Sequence, residues 1–278
     1  MRLCLEVWGT DYGKIKDTCI LAEKLGYYGF YYGESLAEID LDCWSVISNL
    51  SAMTSTIKLG PVITYLIPQY RNIALLAKQS ATLQEISNGR LEFRTGAGAT
   101  HDYATQWWYP FGIDYPTAEE RISLLDEGLE VLRLFWSKPE VHISGKYFKI
   151  NGARLKNPNV PIPITVAAKQ KKMMQLAAKY ADIWESSYLS PEQFASMNSE
   201  FEKISNPTTK MSVKSIELDV IIANSDSELE YKKRLFAMET GPAVLSQLLK
   251  HSLVGKPEDI AQKVRKYVDA GIDLSRSF

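Results

Sequence analysis

The stretch Arg90-Leu91-Glu92-Phe93-Arg94-Thr95-Gly96-Ala97-Gly98-Ala99 decides how this chain is read, because it runs from a β-prone segment straight into a turn of small residues. On its N-terminal side, Ile73 to Ser87 places Ala74, Ala77, Ala81 and Leu83 toward a core at helical spacing, and Asn88-Gly89 stops the helix. Helix, stop, strand, glycine turn is the unit. Working back, Ile57-Lys58-Leu59-Gly60-Pro61-Val62-Ile63-Thr64 reads as a strand, Leu41 to Ser55 as a helix, and the aromatic run Tyr27 to Gly33 as a strand. Before these, Tyr12 to Leu25 spaces Ile15, Cys19, Ala22 and Leu25 along a helix closed by Gly26, and Arg2 to Trp8 is the first strand. Strand and helix thus alternate at roughly the 30-residue pitch of a βαβ unit, which predicts parallel strands with right-handed crossovers.

Working forward, the rhythm breaks. His101 to Tyr115 is polar and aromatic, Thr117 to Trp136 reads as a long helix, and irregular chain runs to Pro163. An insertion over about 101–161, after the fourth strand, is the expectation. The pitch then resumes: strand Ile162 to Ala167, helix Lys171 to Tyr180, strand Asp182 to Ser187, helix Pro191 to Ile204, strand Val213 to Ala223, and a last helix Pro257 to Ala270. Seven strands, with a possible eighth in Ile272 to Phe278, predict an α/β fold, a single-domain (β/α)8 TIM barrel over residues 1–278. The rival, an open doubly wound sheet, calls for a glycine-rich phosphate turn after the first strand, and Trp8-Gly9-Thr10-Asp11-Tyr12-Gly13 is not one. Leu274 to Phe278 is a poor strand, so a short C-terminal end is expected, with the barrel truncated or closed by other segments.

Composition narrows the function. Lys and Arg number 32 against 33 Asp and Glu, a formal charge of −1 that gives no field to attract nucleic acid or an anionic membrane. No stretch approaches the roughly 18 apolar residues of a membrane span, and Glu6 interrupts any apolar run at the N-terminus. A cytosolic protein acting on a small molecule is expected. Cys4, Cys19 and Cys43 read as reduced, buried thiols; with His101, His142 and His251 far apart, no metal motif is present.

In such a barrel the site lies at the C-terminal strand ends. Glu34 follows an aromatic strand and could hydrogen-bond a ligand or cap the next helix. Gly96-Ala97-Gly98-Ala99 would let a ring or phosphate approach the backbone, or simply allow tight packing. Lys169-Gln170-Lys171-Lys172, between a strand end and a helix start, is the best phosphate candidate, with a solvated basic turn as the other reading. His101 is the one histidine at an expected strand end and a candidate proton carrier, or an ordinary surface histidine. Trp107 and Trp108, with Tyr109 and Phe111, suit an apolar lid or a subunit interface.

These pieces together resemble the bacterial-luciferase-like monooxygenase superfamily, in its coenzyme F420-dependent, methylenetetrahydromethanopterin reductase-like branch. The resemblance runs through Ala22-Glu23-Lys24-Leu25-Gly26-Tyr27, Tyr32-Gly33-Glu34, Thr56 to Thr64, Leu83 to Gly98, Tyr115 to Trp136, Pro161 to Ala167, Leu176 to Asp182 and Val254 to Ile260. It implies a cofactor ring, deazaflavin or FMN, at the barrel mouth, supported by Val62, Ile63 and Thr64 with a non-proline cis peptide at Val62-Ile63. It further implies contacts to Gly96, Ala97, Gly98 and Ala167, and phosphate near Lys169, Lys171 and Lys172. Departures from the family pattern are Glu34-Ser35 where Glu-His or Asp-His is common, and Ala167-Ala168-Lys169 in place of a glycine-rich turn. Asp102 or Gln106 stands in for an acidic residue after Gly98.

The expected function is hydride transfer between coenzyme F420 and a small organic substrate held under Trp107 and Trp108, with Glu34 and His101 as the catalytic polar groups. An FMN-dependent monooxygenase and a non-catalytic barrel that has lost its cofactor are the alternatives. The resemblance also implies a homodimer with the early helices at its interface.

Overall fold

The computed structural model describes residues 1–205 and 213–277. Its first hundred residues follow the expected rhythm: β1 (Arg2–Val7), α1 (Tyr12–Lys24), β2 (Gly29–Gly33), α2 (Cys43–Met53), β3 (Lys58–Val62), α3 (Ile73–Ile86) and β4 (Phe93–Gly96). Each helix starts on a side chain that accepts an orphan N–H: Asp11 from Lys14, Asp42 from Ser45, and Asn72 from Ala74 and Leu75. A short helical turn α4 (Ala104–Trp107), the long helix α5 (Ala118–Ser137), and strands β5 (Val141–Ser144) and β6 (Lys149–Ala153) come next. Then follow β7 (Ile164–Ala167), α6 (Lys171–Tyr180), β8 (Ile183–Ser187), α7 (Pro191–Ile204), β9 (Val213–Leu218) and β10 (Val220–Ile222). The chain continues through α8 (Asp226–Thr240), α9 (Pro242–His251), β11 (Leu253–Gly255), α10 (Pro257–Asp269) and β12 (Leu274–Ser277).

Eight strands form one parallel sheet in the order β3-β2-β1-β12-β9-β8-β7-β4. Bridges Leu59 to Leu91 and Thr64 to Thr95 join its two edges, so the sheet curls into a TIM barrel. The tail is the eighth strand: β12 lies between β1 and β9, with Ser275 opposite both Leu3 and Ile216. This corrects the expectation of a truncated or otherwise closed barrel. A strand flanked on both sides has its ladder completed by its neighbours, so weak local propensity is overridden by pairing. Phe278 lies outside the described residues.

Two further expectations change. Only part of 101–161 is an insertion, because α5 is the crossover helix between β4 and β7, packed against α3 and α6; the extra chain is the segment before it and the β5–β6 hairpin. The segment expected as one strand, Val213 to Ala223, is two. β9 stays in the barrel, while β10 leaves it to pair in parallel with β11. Helices α8 and α9, unread in the sequence, connect that small sheet.

Helices and outer strand faces enclose the main apolar core, including Ile47, Leu59, Phe93, Leu132, Trp184 and Phe201. All three cysteines are buried, and none is joined in a disulfide. At the end of the barrel away from the site, Glu23 latches α1 to the start of β3 by accepting from the N–H groups of Ser55, Thr56 and Ile57 at 2.8, 2.6 and 3.0 Å. Burial opposes the charge, but these donors win and pull the Glu23 carboxyl down to about 2. Among the described residues no helix is long and apolar enough to cross a membrane.

Candidate active site at the strand ends

The C-terminal ends of the strands surround a cavity of about 770 Å3. One wall is main chain and small residues. Val62 and Ile63, joined by a cis peptide bond as the family resemblance implies, stand beside Gly96, Ala97 and Gly98, with Ala167 next in line. A Cβ on Gly96 would lie 3.0 Å from Ile63 Cδ1 and 3.4 Å from the Ala167 Cβ, so the close approach of these strand ends depends on glycine. Gly98 has φ 83°, and a Cβ there would lie 2.4 Å from the Tyr115 hydroxyl. Arg121 of α5 holds the turn from outside, donating to the carbonyls of Ala97 at 2.6 Å and Ala99 at 2.9 Å. The result is a flat apolar face whose shape suits a planar ring.

Glu34 and Thr64 stand behind this wall and are not among the residues that line the cavity. Glu34 is 2% exposed. Its carboxylate accepts from Thr64 Oγ1, from the Tyr70 hydroxyl at 3.1 Å and from Trp44 Nε1 at 3.3 Å, and pairs with Arg71 at 2.5 Å. Burial pushes its pKa up, with the Arg71 guanidinium opposing. Four donors on one carboxylate lock β2 to β3 beside the cis bond.

The segment after β4 covers the cavity, and its two tryptophans divide the work. Trp107 lines the cavity with His101 and Tyr103, its ring 6.3 Å from that of Trp8. Trp108 is turned away and buried, 4.8 Å from Tyr65, 5.1 Å from Tyr70 and 5.4 Å from Tyr115 between ring centres. It anchors the lid instead of forming it. His101 is exposed at the rim, with Nε2 2.7 Å from the Tyr109 hydroxyl. Asp102 and Gln106 are exposed and are not part of the wall.

At the far side, Lys169, Gln170, Met173, Thr117 and Ala118 line the cavity. Gln170 is the N-cap of α6 and makes no side-chain capping bond, so the first-turn N–H groups of that helix are open to an anion beside the cavity. Lys171 and Lys172 do not reach it: both are exposed, and Lys172 lies 3.5 Å from Glu119. The basic run therefore contributes one lysine and a helix terminus, not a cluster of amines.

Sequence reasoning gave the floor no role. Glu185, Ser186, Ser187 and Glu217 line it, and Glu6 lies beside them inside the barrel. Arg94 of β4 pairs with Glu6 at 2.5 Å and with Glu185, and Ser215 donates to Glu185 at 3.0 Å. Reading the seventh strand through to Ala223 put Glu217 in mid-strand; because β9 ends at Leu218, Glu217 stands at the mouth.

A closed parallel barrel with a small-residue wall, a helix N-terminus at one side and a covering segment after the fourth strand defines the class: a TIM barrel with a cavity at its strand ends. Residues 6–237 match the family described as luciferase-like monooxygenase, and the chain belongs to it. The 5,10-methylenetetrahydromethanopterin reductase of Archaeoglobus fulgidus is 37% identical over 139 residues, 50% of this chain and 39% of that protein. The pyrimidine monooxygenase RutA of Yersinia enterocolitica is 28% identical over 200 residues, 70% of this chain and 52% of the relative. The chain thus spans about half the length of these curated relatives or less. In fold it is similar to an F420-dependent secondary alcohol dehydrogenase solved with an F420-acetone adduct, with a TM-score of 0.86 and 17% identity over 99% of this chain and 92% of that one.

Proposed function

We propose that the protein is an oxidoreductase that moves a hydride between a deazaflavin, coenzyme F420, and a small organic substrate. The observation that carries this reading is the wall of Val62, Ile63, Gly96, Ala97 and Gly98, which presents backbone and small side chains to the cavity where a flat ring would lie. Bound there, the cofactor would supply the hydride chemistry, and the protein would supply orientation and electrostatics. Val62 and Ile63 support the ring, held in place by Glu34 and Thr64. Lys169 and the open N–H groups of α6 receive a phosphate. Trp107, with Trp8 and Tyr103, excludes water above the substrate, and His101 stands at the entrance. Resemblance to the methylenetetrahydromethanopterin reductases favours the deazaflavin over FMN, and the match to a pyrimidine monooxygenase supports FMN-dependent oxygenation as the second reading.

Fluorescence titration of the purified protein with F420 and with FMN separates the readings. Saturable F420 binding with weaker FMN binding is the expected result. Tight binding of FMN alone overturns the deazaflavin, and binding of neither points to a barrel without a cofactor. Leu21, Leu25, Leu75 and Ile86 are exposed on α1 and α3 or at their ends, in keeping with a homodimer through the early helices; sedimentation velocity would give a single species of twice the chain mass.

A further inference from the structure

The functional reading gives no task to the acidic floor. Glu6, Glu185 and Glu217 bring carboxylate oxygens within 4.8 Å of one another, from β1, β8 and β9. Arg94 of β4 pairs with Glu6 and Glu185, and its guanidinium stacks 4.9 Å above the Tyr31 ring. Among the described side chains, three carboxyl groups therefore crowd around the one guanidinium of Arg94. Carboxylates this close in a site shielded from water do not all ionise; one keeps a proton.

Position selects which one. Glu6 and Glu185 pair directly with Arg94, whereas the side-chain hydrogen bond to Glu217 comes from a neutral group, the Tyr188 hydroxyl. Tyr188 takes φ 52°, and its backbone N–H donates to the Glu217 carbonyl at 3.0 Å, so the loop after β8 folds across the end of β9. Its side chain is 38% exposed, which links Glu217 to solvent. Among the described residues, Asp219 also acts on Tyr188 from just beyond β9, and Lys169 Nζ donates to the Ser187 carbonyl at 3.2 Å. Burial, followed by the charges of Glu6 and Glu185, pushes the Glu217 carboxyl up to about 8.

We propose that Glu217 is the acid of the site: its carboxyl stands protonated on the cavity floor, donates a hydrogen bond to the molecule seated above it, and stores the proton that accompanies hydride transfer. The proposal rests on the functional reading above. In the reductive direction a carbon of the substrate's carbonyl or iminium group accepts the hydride from the reduced deazaflavin. The π electron pair moves to the adjoining oxygen or nitrogen. For a carbonyl, that oxygen takes the proton as the Glu217 O–H bond breaks; the iminium nitrogen only becomes basic, and is protonated in a following step. The carboxylate left behind is stabilised by Arg94 and the Tyr188 hydroxyl, and water restores its proton through Tyr188. Oxidation runs the same transfers backwards.

Infrared difference spectroscopy tests this directly. In cofactor-free protein at pH 7, the wild type should show a protonated-carboxyl C=O band that Glu217→Gln lacks, and the band should titrate away with a midpoint near 8. Tyr188→Phe removes a donor to the carboxylate and should raise that midpoint. Saturation with F420, followed independently by fluorescence, should shift the band. Identical wild-type and Glu217→Gln spectra at pH 7 overturn the proposal, as does a band unmoved when F420 fills the cavity. If F420 does not bind, the functional reading fails, and the titration in cofactor-free protein still decides whether Glu217 holds the proton.

Discussion

Across the barrel mouth, the end of β3 and β4 and the end of β8 and β9 solve the same problem by opposite means. The first presents a cis peptide, glycines and an alanine, and the carboxylate behind it, Glu34, is turned away and saturated with donors. The second presents its charges inward, with Glu185 and Glu217 on the cavity and Arg94 reaching over from β4 to balance them. The first wall is fixed by shape and the second by charge. A wall fixed by shape is sensitive to added volume, and a wall fixed by charge is sensitive to a lost partner or a changed pH.

The sharpest way to break this contrast is to remove the arginine. Arg94→Met keeps much of the side-chain volume but leaves Glu6 and Glu185 facing each other with no guanidinium between them. Breaking a buried pair in this way costs about 3–5 kcal/mol, and urea denaturation near pH 7 should give a loss of that order. A loss below about 1 kcal/mol, the level of an exposed pair, would mean that the charge wall is not held by Arg94. On the shape wall, Gly96→Val crowds Ile63 and Ala167 and puts two further methyl groups at the strand end. F420 affinity should fall at least tenfold, about 1.4 kcal/mol, while stability changes less than in Arg94→Met. Unchanged affinity would show that the ring lies elsewhere.

The two walls also differed in how far the sequence disclosed them. Gly96-Ala97-Gly98 and the run to Thr64 could be read because glycine and proline act locally, through backbone conformation, and leave a mark on a linear pattern. The first four β–α units were legible for the same reason, through helix stops such as Asn88-Gly89. Arg94 and Glu6 sit in strands whose alternation was read only for its apolar members, although a charge inside a buried strand requires a partner and signals one. That partner is 88 residues away for Glu6 and 91 for Glu185, too far for spacing to show. The boundary of β9 was lost for a different reason: Val220-Ile221-Ile222 is as β-prone as the strand before it, and only its pairing with Leu253–Gly255 removes it from the barrel. Lys171 and Lys172 misled because a run of like residues at a helix start spreads around the helix, so no more than part of it can face one ligand.

The smallest effect sets two glutamates against each other through pH. Glu23, at the closed end of the barrel, has its pKa lowered to about 2 by three backbone N–H groups, whereas Glu217, at the open end, has its pKa raised to about 8 by burial and like charge. A lowered carboxyl pKa contributes stability that is present above the unfolded value near 4.5 and is lost as pH falls toward 2. A raised one has the opposite sign: the folded state keeps a proton that the unfolded chain releases, so stability declines as pH rises from about 4.5 to about 8. The thermal midpoint should therefore pass through a maximum between these limbs, and each substitution should flatten one of them. Glu23→Gln replaces three charge-assisted hydrogen bonds with weaker ones, at a cost near pH 7 of about 1 kcal/mol because the latch is largely exposed to water. It should reduce the acid limb and leave the alkaline one intact. Glu217→Gln should do the reverse, and calorimetric midpoints of both variants from pH 3 to 9 check the assignment. If both variants lose the same limb, the latch and the floor do not differ in the sign of their linkage, and the contrast between the two ends of the barrel fails.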